Sequence, residues 1–306
     1  MILVFGGTGF LGRNLVPELV RQDKAVQIVS RNPDTSFLSR HAPKARSVTL
    51  EMFQADPAAL LYDCSAIVYL ASASTPGSNL HEPWREASST VEPLLRTMTA
   101  VADHGGAHVI YLSSGGTVYG PTDLDPIPET APLNPISPYG LGKQMSEAAL
   151  AFLARNRGLR TTILRAANPI GPWQSNPSQG VVGALCRAAA HGTTFPMLGE
   201  GESVRDYFDV MDLCRAIVEV IDRPEISVGR TWNVGSGQGR TLAEMHRLVE
   251  KVVGRRIAVQ RRPARASDVR KVVLDISRIS SDLSWSPTPD LARPVADVWD
   301  QVRMTA

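Results

Sequence analysis

Between residues 2 and 164 short apolar runs alternate with stretches of helical periodicity. The runs at 2–5, 26–29, 66–70, 108–112 and 161–164 read as buried strands. Their spacing leaves room for a crossover helix between most of them, the pattern of a parallel sheet covered on both faces. Residues 10–21, about 84–104 and 139–156 read as those helices. Pro93 falls inside the second, where its ring and missing N–H oppose a continuous helix, so a kink or a late start is expected. After residue 164 the texture changes. Asn168–Pro169–Ile170–Gly171–Pro172 and Asn176–Pro177 form a loop-rich transition, followed by shorter elements. Thr241–Leu242–Ala243–Glu244 has capping-box form and predicts a helix to about Val253. The pattern predicts an α/β fold with a doubly wound parallel sheet over residues 1–165. A smaller α/β region follows over 166–306, with some chain returning to the first.

Composition narrows the class. The chain has 306 residues, 43% hydrophobic and 20% charged, which is ordinary for a folded domain and excludes disorder. Lys and Arg number 32 against 30 Asp and Glu, so no general affinity for polyanions follows. Cys64, Cys186 and Cys214 are odd in number and far apart, which fits the reducing cytoplasm better than a disulfide framework. No CxxC, HExxH or Cys/His cluster is present, and no metal is expected. Met1 leads straight into an apolar run without a basic leader, and no run approaches the length of a membrane span. Arg255, Arg256, Arg261, Arg262, Arg265, Arg270 and Lys271 form a basic stretch. It lacks the interleaved aromatics that stack nucleic-acid bases, so it reads as a diphosphate site plus solvated surface.

Two local patterns carry chemistry. Gly6–Gly7–Thr8–Gly9–Phe10–Leu11–Gly12 follows the first strand and opens the first helix. Gly6 permits the tight turn, Gly9 lets backbone approach a pyrophosphate, and Gly12 allows close helix–sheet packing. The helix N-terminus at Phe10 and Leu11 offers free N–H groups to the anion, a Rossmann-type dinucleotide site. The second strand ends in Ser30–Arg31, where an NAD site usually has an acid for the ribose 2′-OH. A hydroxyl and a guanidinium suit a 2′-phosphate instead, so NADP is slightly favoured over NAD. Leu70, Ala71 and Ser72, together with Ser113, complete the expected coenzyme contacts. Tyr139 and Lys143 form a YxxxK pair on one face of a helix. A nearby ammonium and an oxidised nicotinamide both favour phenolate, which makes Tyr139 a plausible general acid/base on a carbinol and Lys143 its partner.

With these residues in place the chain resembles the extended short-chain dehydrogenase/reductase superfamily, and within it the UDP-galactose 4-epimerase-like group. The matching residues are GGTGFLG at 6–12, LSSGGTVYG at 112–120, SPYGLGK at 137–143, NPIG at 168–171 and VRDYFDVMDL at 204–213. Later Arg265–Ala266–Ser267–Asp268, Leu274–Asp275 and Leu283–Ser284–Trp285 also fit. The resemblance covers essentially the whole chain. It implies a bound nucleotide-diphosphate sugar, UDP-linked, contacted by Asn168, Arg205, Tyr207, Arg265 and Asp268. Two arginines suit a diphosphate, and an Asp suits ribose hydroxyls. Val272 lies where the group gates the sugar C2 substituent, and its small side chain implies that an N-acetyl group is tolerated. A homodimer through the helices around 90–104 and 140–155 is implied as well.

The departures are informative. Four residues before Tyr119, the family's catalytic Ser or Thr falls on Gly115, which has no hydroxyl. Ser113, Ser114 and Thr117 are nearby. If the chain stays extended, Thr117 shares the parity of position 115 and is the expected substitute, with Ser114 also a candidate. Ser89 lies near the family's coenzyme-binding Asn, and Glu51 or Asp56 near an acid that follows the third strand. The Asp–Glu pair that resembling 4,6-dehydratases need is Gly116–Thr117 here, which argues against that reaction unless Glu129 or another acid serves. The expected activity is nucleotide-sugar 4-epimerisation. An NADPH-dependent 4-ketoreductase and a noncatalytic nucleotide-sugar sensor are the alternatives.

Overall fold

Seven strands build the main sheet of the computed structural model: β1 (Ile2–Phe5), β2 (Val26–Ser30), β3 (Arg46–Thr49), β4 (Ala66–Tyr69), β5 (His108–Ser114), β6 (Thr161–Ala166) and, much later, β10 (Thr231–Val234). Their order is β10–β6–β5–β4–β1–β2–β3. The strands from β3 to β5 run parallel, with Phe5 level with Val29 and Tyr69, and Tyr69 level with Tyr111. The chain leaves β1 toward β2 and β3, then returns to β4 on the other side. The order therefore reverses between β1 and β4, and the carboxyl ends of those strands form the crevice where such sheets bind ligands. The structure describes residues 1–77, 80–174, 180–263 and 269–305.

The five predicted strands are present, and two more join them. β3 has an exposed-to-half-buried sequence, RSVT, at the sheet edge, so it carries no continuous apolar run to reveal it. β10 enters from the far end of the chain. β5 runs to Ser114, two residues beyond its predicted end. Pro93 acts as expected. A short helix Trp84–Glu86 passes into a π-helical turn, Ala87–Val91, and a regular helix runs over Glu92–His104 with Pro93 in its first turn. There the missing N–H has no helical partner to lose. Against the inner face of β1, β4 and β5 lies a core of Leu3, Phe5, Ile67, Tyr69, Val109 and Tyr111. Its aromatic members form a row: Phe53 edge-on to Phe5 at 5.0 Å, Phe5 stacked on Tyr69 at 5.3 Å, and Tyr69 tilted on Tyr111 at 6.3 Å.

The chain divides into two compact units. One comprises residues 1–114, 138–165 and 214–232, the other 115–137, 166–213 and 233–306. Residues 115–137 thus group with the later unit and 214–232 with the earlier one. In the later unit β7 (Asn168–Ile170), β9 (Val204–Asp209), β11 (Gly239–Thr241) and β13 (Lys271–Val272) make one sheet. There β9 is the centre, with β7, β11 and β13 paired to it. β8 (Phe195–Leu198) and β12 (Val259–Arg262) pair separately. The capping box forms as predicted: Thr241 Oγ1 accepts from Glu244 N, the Glu244 carboxylate accepts from Thr241 N, and the helix spans Leu242–Val253. All three cysteines are buried and free. Among the described residues no helix is long and apolar enough to cross a membrane, and no His/Cys/Asp/Glu group is arranged to hold a metal.

Candidate functional site

The glycine loop sits at the reversal of strand order, and two of its glycines are demanded by the chain itself. Gly6 has φ +80°, and a β-carbon there would lie 2.8 Å from Ala71 N. One at Gly12 would lie 2.3 Å from Gly7 Cα. These contacts lock the end of β1 to the segment after β4 and to the helix Phe10–Arg21. Gly9 is different. A β-carbon there would meet nothing of the chain closer than 3.4 Å, in ordinary contact with Gly6 O. Gly9 is also the exposed N-cap of that helix, with no side chain capping its first turn. Its bareness therefore keeps the mouth of an uncapped helix N-terminus open, which suits a pyrophosphate. Ser30 adds a second sign of fit: it is buried, and its hydroxyl has no hydrogen-bond partner among the described residues. Arg31 beside it is exposed. Arg13 is committed elsewhere, paired with Asp34, donating to Thr8 O at 2.9 Å and lying over the Phe37 ring. Asp34 in turn accepts from Phe37 N and Ser36 Oγ, which with Arg13 holds its carboxyl down at about 2. Beyond β4, Ala71 supplies backbone to the Gly6 contact, and the Ser72 hydroxyl donates to Ser74 O. Taken together, the residues present fit a dinucleotide.

Tyr139 and Lys143 lie in the helix Pro138–Arg157. Lys143 is 4% exposed and donates from Nζ to Leu112 O at 2.8 Å. Its ammonium stands over the Tyr111 ring at 4.9 Å and the Tyr139 ring at 5.6 Å. Burial pulls Lys143 down to about 8, while the charges of Glu147 and Glu86 hold it up. The Tyr139 ring is half-buried, and desolvation pushes its phenol up to about 12. A hydrogen bond with the Ser114 side chain opposes that rise, and the charge of Glu86 adds to it.

Secondary structure separates the candidate hydroxyls. The alternation of β5 ends at Ser114, and residues Gly115–Val118 are helical, so the extended-chain parity that selected Thr117 does not hold. Ser114 is the hydroxyl on the Tyr139 phenol. Thr117 Oγ1 is buried, with no hydrogen-bond partner among the described residues. Ser113, expected at the coenzyme, is instead buried and donates to Glu147 Oε1 at 2.5 Å. Glu147 also holds Arg165 through Nε at 3.1 Å and Nη2 at 2.7 Å, an ion pair with both side chains under 10% exposed. Breaking such a pair costs about 3–5 kcal/mol, because one charge is left buried alone. Glu147 follows Lys143 by four residues on the same helix face, a signal the sequence carried unread. Ser89 is exposed and donates to Arg85 O, while Asp56 caps the helix Pro57–Leu61.

In the later unit the ladder gathers the described substrate candidates on β9. Asn168 is level with Tyr207, and Val272 with Arg205. Asn168 Nδ2 donates to Asp206 O at 3.0 Å, and Arg205 is half-buried, with Nη1 on Val204 O. Tyr207 is 6% exposed, and burial raises its phenol. Val272 is 2% exposed and packs with Val118, Tyr119, Ile127, Ala131 and Leu274 in a hydrophobic core. Glu129 accepts from Asn233 N and is therefore a structural acceptor. Asp206 was missed: burial raises its carboxyl, which clasps Ser236 N and Oγ and Gly237 N. Arg265 and Asp268 lie outside the described residues. The basic stretch is broken up by partners: Arg256 meets Glu250, Arg261 meets Glu200, and Lys271 meets Asp125.

Comparison with known proteins agrees with this arrangement. Residues 2–235 match the NAD dependent epimerase/dehydratase family. A UDP-glucose 4-epimerase of Mycolicibacterium smegmatis is 30% identical over 96% of each chain. A dTDP-4-dehydro-6-deoxyglucose reductase of Escherichia coli is 28% identical over 94% of this chain and 92% of that one. Among solved structures, the UDP-glucose 4-epimerase of Thermotoga maritima, crystallised with UDP-glucose, superposes with a TM-score of 0.90 at 30% identity over 99% of each chain.

The two kinds of glycine predict different failures. Gly9→Ala should unfold thermally like the parent while losing dinucleotide binding by equilibrium titration. Gly12→Ala should lower the unfolding temperature itself, since its β-carbon has no room. A Gly9→Ala protein that binds dinucleotide normally would contradict the loop's assignment.

Proposed function

The chain belongs to the NAD dependent epimerase/dehydratase family, and from that premise we propose that it is a nucleotide-sugar 4-epimerase acting through a transient 4-keto sugar. The observation that carries the reading is the intact Tyr139–Lys143 pair, with Lys143 anchored on Leu112 O, in a chain matched end to end by 4-epimerases. A bound, retained nicotinamide coenzyme supplies the hydride acceptor and donor and, when oxidised, a positive charge that favours phenolate. Tyr139 takes the proton of the sugar 4-OH and gives it back after the ketone has turned over. Ser114 donates to the phenolate and holds it in place. Lys143 keeps a positive charge beneath the ring. Proton transfer of this kind contributes roughly 10²–10⁴-fold, so loss of the phenol is severe.

Arg205, Tyr207 and Asn168, gathered along β9 and β7, are the proposed contacts of a UDP-linked hexose or N-acetylhexosamine, with Arg265 and Asp268 as further proposed contacts. Exposed Leu141 and Phe152 on the helix Pro138–Arg157 support a homodimer through that helix and Glu92–His104. Three buried free thiols suit a reducing compartment such as the cytoplasm.

Two observations favour a second reading, an NADPH-dependent 4-ketoreductase: the Ser30–Arg31 strand end and the reductase relative. Ser30–Arg31 also leads us to propose that NADP is accepted at least as well as NAD.

Purified protein given UDP-galactose and, separately, UDP-N-acetylglucosamine, without added coenzyme, should yield the 4-epimer. No conversion even with NAD, alongside NADPH oxidation by a 4-keto sugar, would make it the reductase. Titration of coenzyme-free protein should show NADP binding no weaker than NAD, and clearly tighter NAD would overturn the 2′-phosphate reading. Ser114→Ala should lower kcat about 10- to 100-fold, the worth of one hydrogen bond to a charged group. It should also move the acidic limb of the pH profile upward, because the lost bond favoured phenolate. Thr117→Val should leave that limb in place, and the reverse pattern would restore Thr117 as the hydroxyl.

A further inference from the structure

Glu86 is 1% exposed and has no part in the sequence motifs. It ends the short helix Trp84–Glu86 and enters the π-helical turn Ala87–Val91, a distortion that recurs at functional sites. Its Oε2 accepts from Ser74 Oγ at 2.8 Å and from Thr90 Oγ1 at 3.2 Å. Two hydroxyl donors on one oxygen suit an ionised carboxylate. The same oxygen is pressed against Gly142, where a β-carbon would lie 2.7 Å from it. Gly142 is the third residue after Tyr139 and the one before Lys143, so the carboxylate rests on bare backbone in the turn that carries both.

We propose that Glu86 is the positioning residue of the Tyr139–Lys143 pair: a buried counter-charge, seated on Gly142, that keeps Lys143 an ammonium and fixes the turn presenting the phenol. This rests on reading Tyr139 and Lys143 as the acid/base machinery. The charges around the pair explain the need. Glu147, four residues on, is already shared between Arg165 and Ser113. Leu112 O is a neutral acceptor, and among the described residues β5 and β4 contribute Tyr111, Ser114 and Tyr69. Two buried cations, Lys143 and Arg165, thus face two buried anions, Glu147 and Glu86. Removing Glu86 leaves one positive charge unanswered in a low-dielectric interior, where the neutral amine is then favoured. The charge of Glu86 acts on both members of the pair in the same sense, holding Lys143 protonated and opposing phenolate. Its gain is therefore in the cation and the geometry of the turn, and Ser114 and the bound coenzyme must overcome its effect on the phenol.

The test is the titration of Lys143 itself, followed by NMR in protein carrying isotope-labelled lysine, with the resonance assigned by its loss in Lys143→Met. In the parent the midpoint should fall near the value of about 8 set by burial. Glu86→Gln keeps the size and an acceptor for Ser74 and Thr90 but removes the charge, and it should lower the midpoint by about one pH unit. Glu86→Asp should restore most of the shift. Should the glutamine variant fail to fold, Glu86→Met with Ser74→Ala and Thr90→Val replaces the carboxylate and both donors by apolar groups, a change that can be nearly neutral for stability. It should give the same downward shift. An unchanged midpoint in either variant overturns the proposal. No sugar is needed, so this outcome is separate from a failure to epimerise. In the active enzyme Glu86→Gln should move both limbs of the kcat profile to lower pH, whereas loss of packing alone would lower kcat without moving them.

Discussion

A lysine ammonium with almost no contact with solvent is the constraint from which the first unit is organised. An ionised amine taken out of water costs several kcal/mol unless hydrogen bonds and opposite charge surround it. The structure answers each requirement with a different element. Two residues before the end of β5, the Leu112 carbonyl receives the ammonium. The aromatic row across β1, β4 and β5 terminates in the Tyr111 ring beneath it, a cation–π contact that gains strength when desolvated. The helix bearing Lys143 supplies Glu147 one turn later, and a largely exposed segment before the Glu92–His104 helix turns Glu86 inward. The balance leaves Lys143 charged near neutrality and lowered to about 8, beside the Tyr139 phenol.

The second organising feature is the reversal of strand order between β1 and β4. Ligands bind there because the flanking connections diverge and leave a crevice. In this chain the crevice is held by close backbone approach: Gly6 against Ala71, and Gly12 against Gly7. Side chains at those positions have nowhere to go, so the loop is rigid before any coenzyme arrives. Within this loop Gly9 is bare without being crowded, and that contrast sets it apart from the glycines kept small for the fold.

Gly115 shows how a departure from a family pattern can be absorbed locally. The strand continues to Ser114 and the chain turns helical at the next residue, so the last extended position carries the hydroxyl to the phenol. Counting back four residues from Tyr119 places the missing hydroxyl one residue later, on Gly115.

The sequence by itself determined the doubly wound sheet, the glycine loop, the helix bearing Tyr139 and Lys143, and the capping box, because each depends on spacing within one element or on the chemistry of neighbouring residues. It also marked Pro93 correctly, since a missing N–H is a local fact. Tertiary structure alone decided what depends on where a strand stops and on which distant segments meet. The edge strand β3 has no apolar run, and Val272 is sealed inside a core that its identity does not announce. Ser113 and Ser114 differ in role because one faces Glu147 and the other Tyr139. Glu86 carries no motif at all. Its importance comes from burial beside Gly142, and burial is a property of the packed chain, which no run of neighbouring residues can fix.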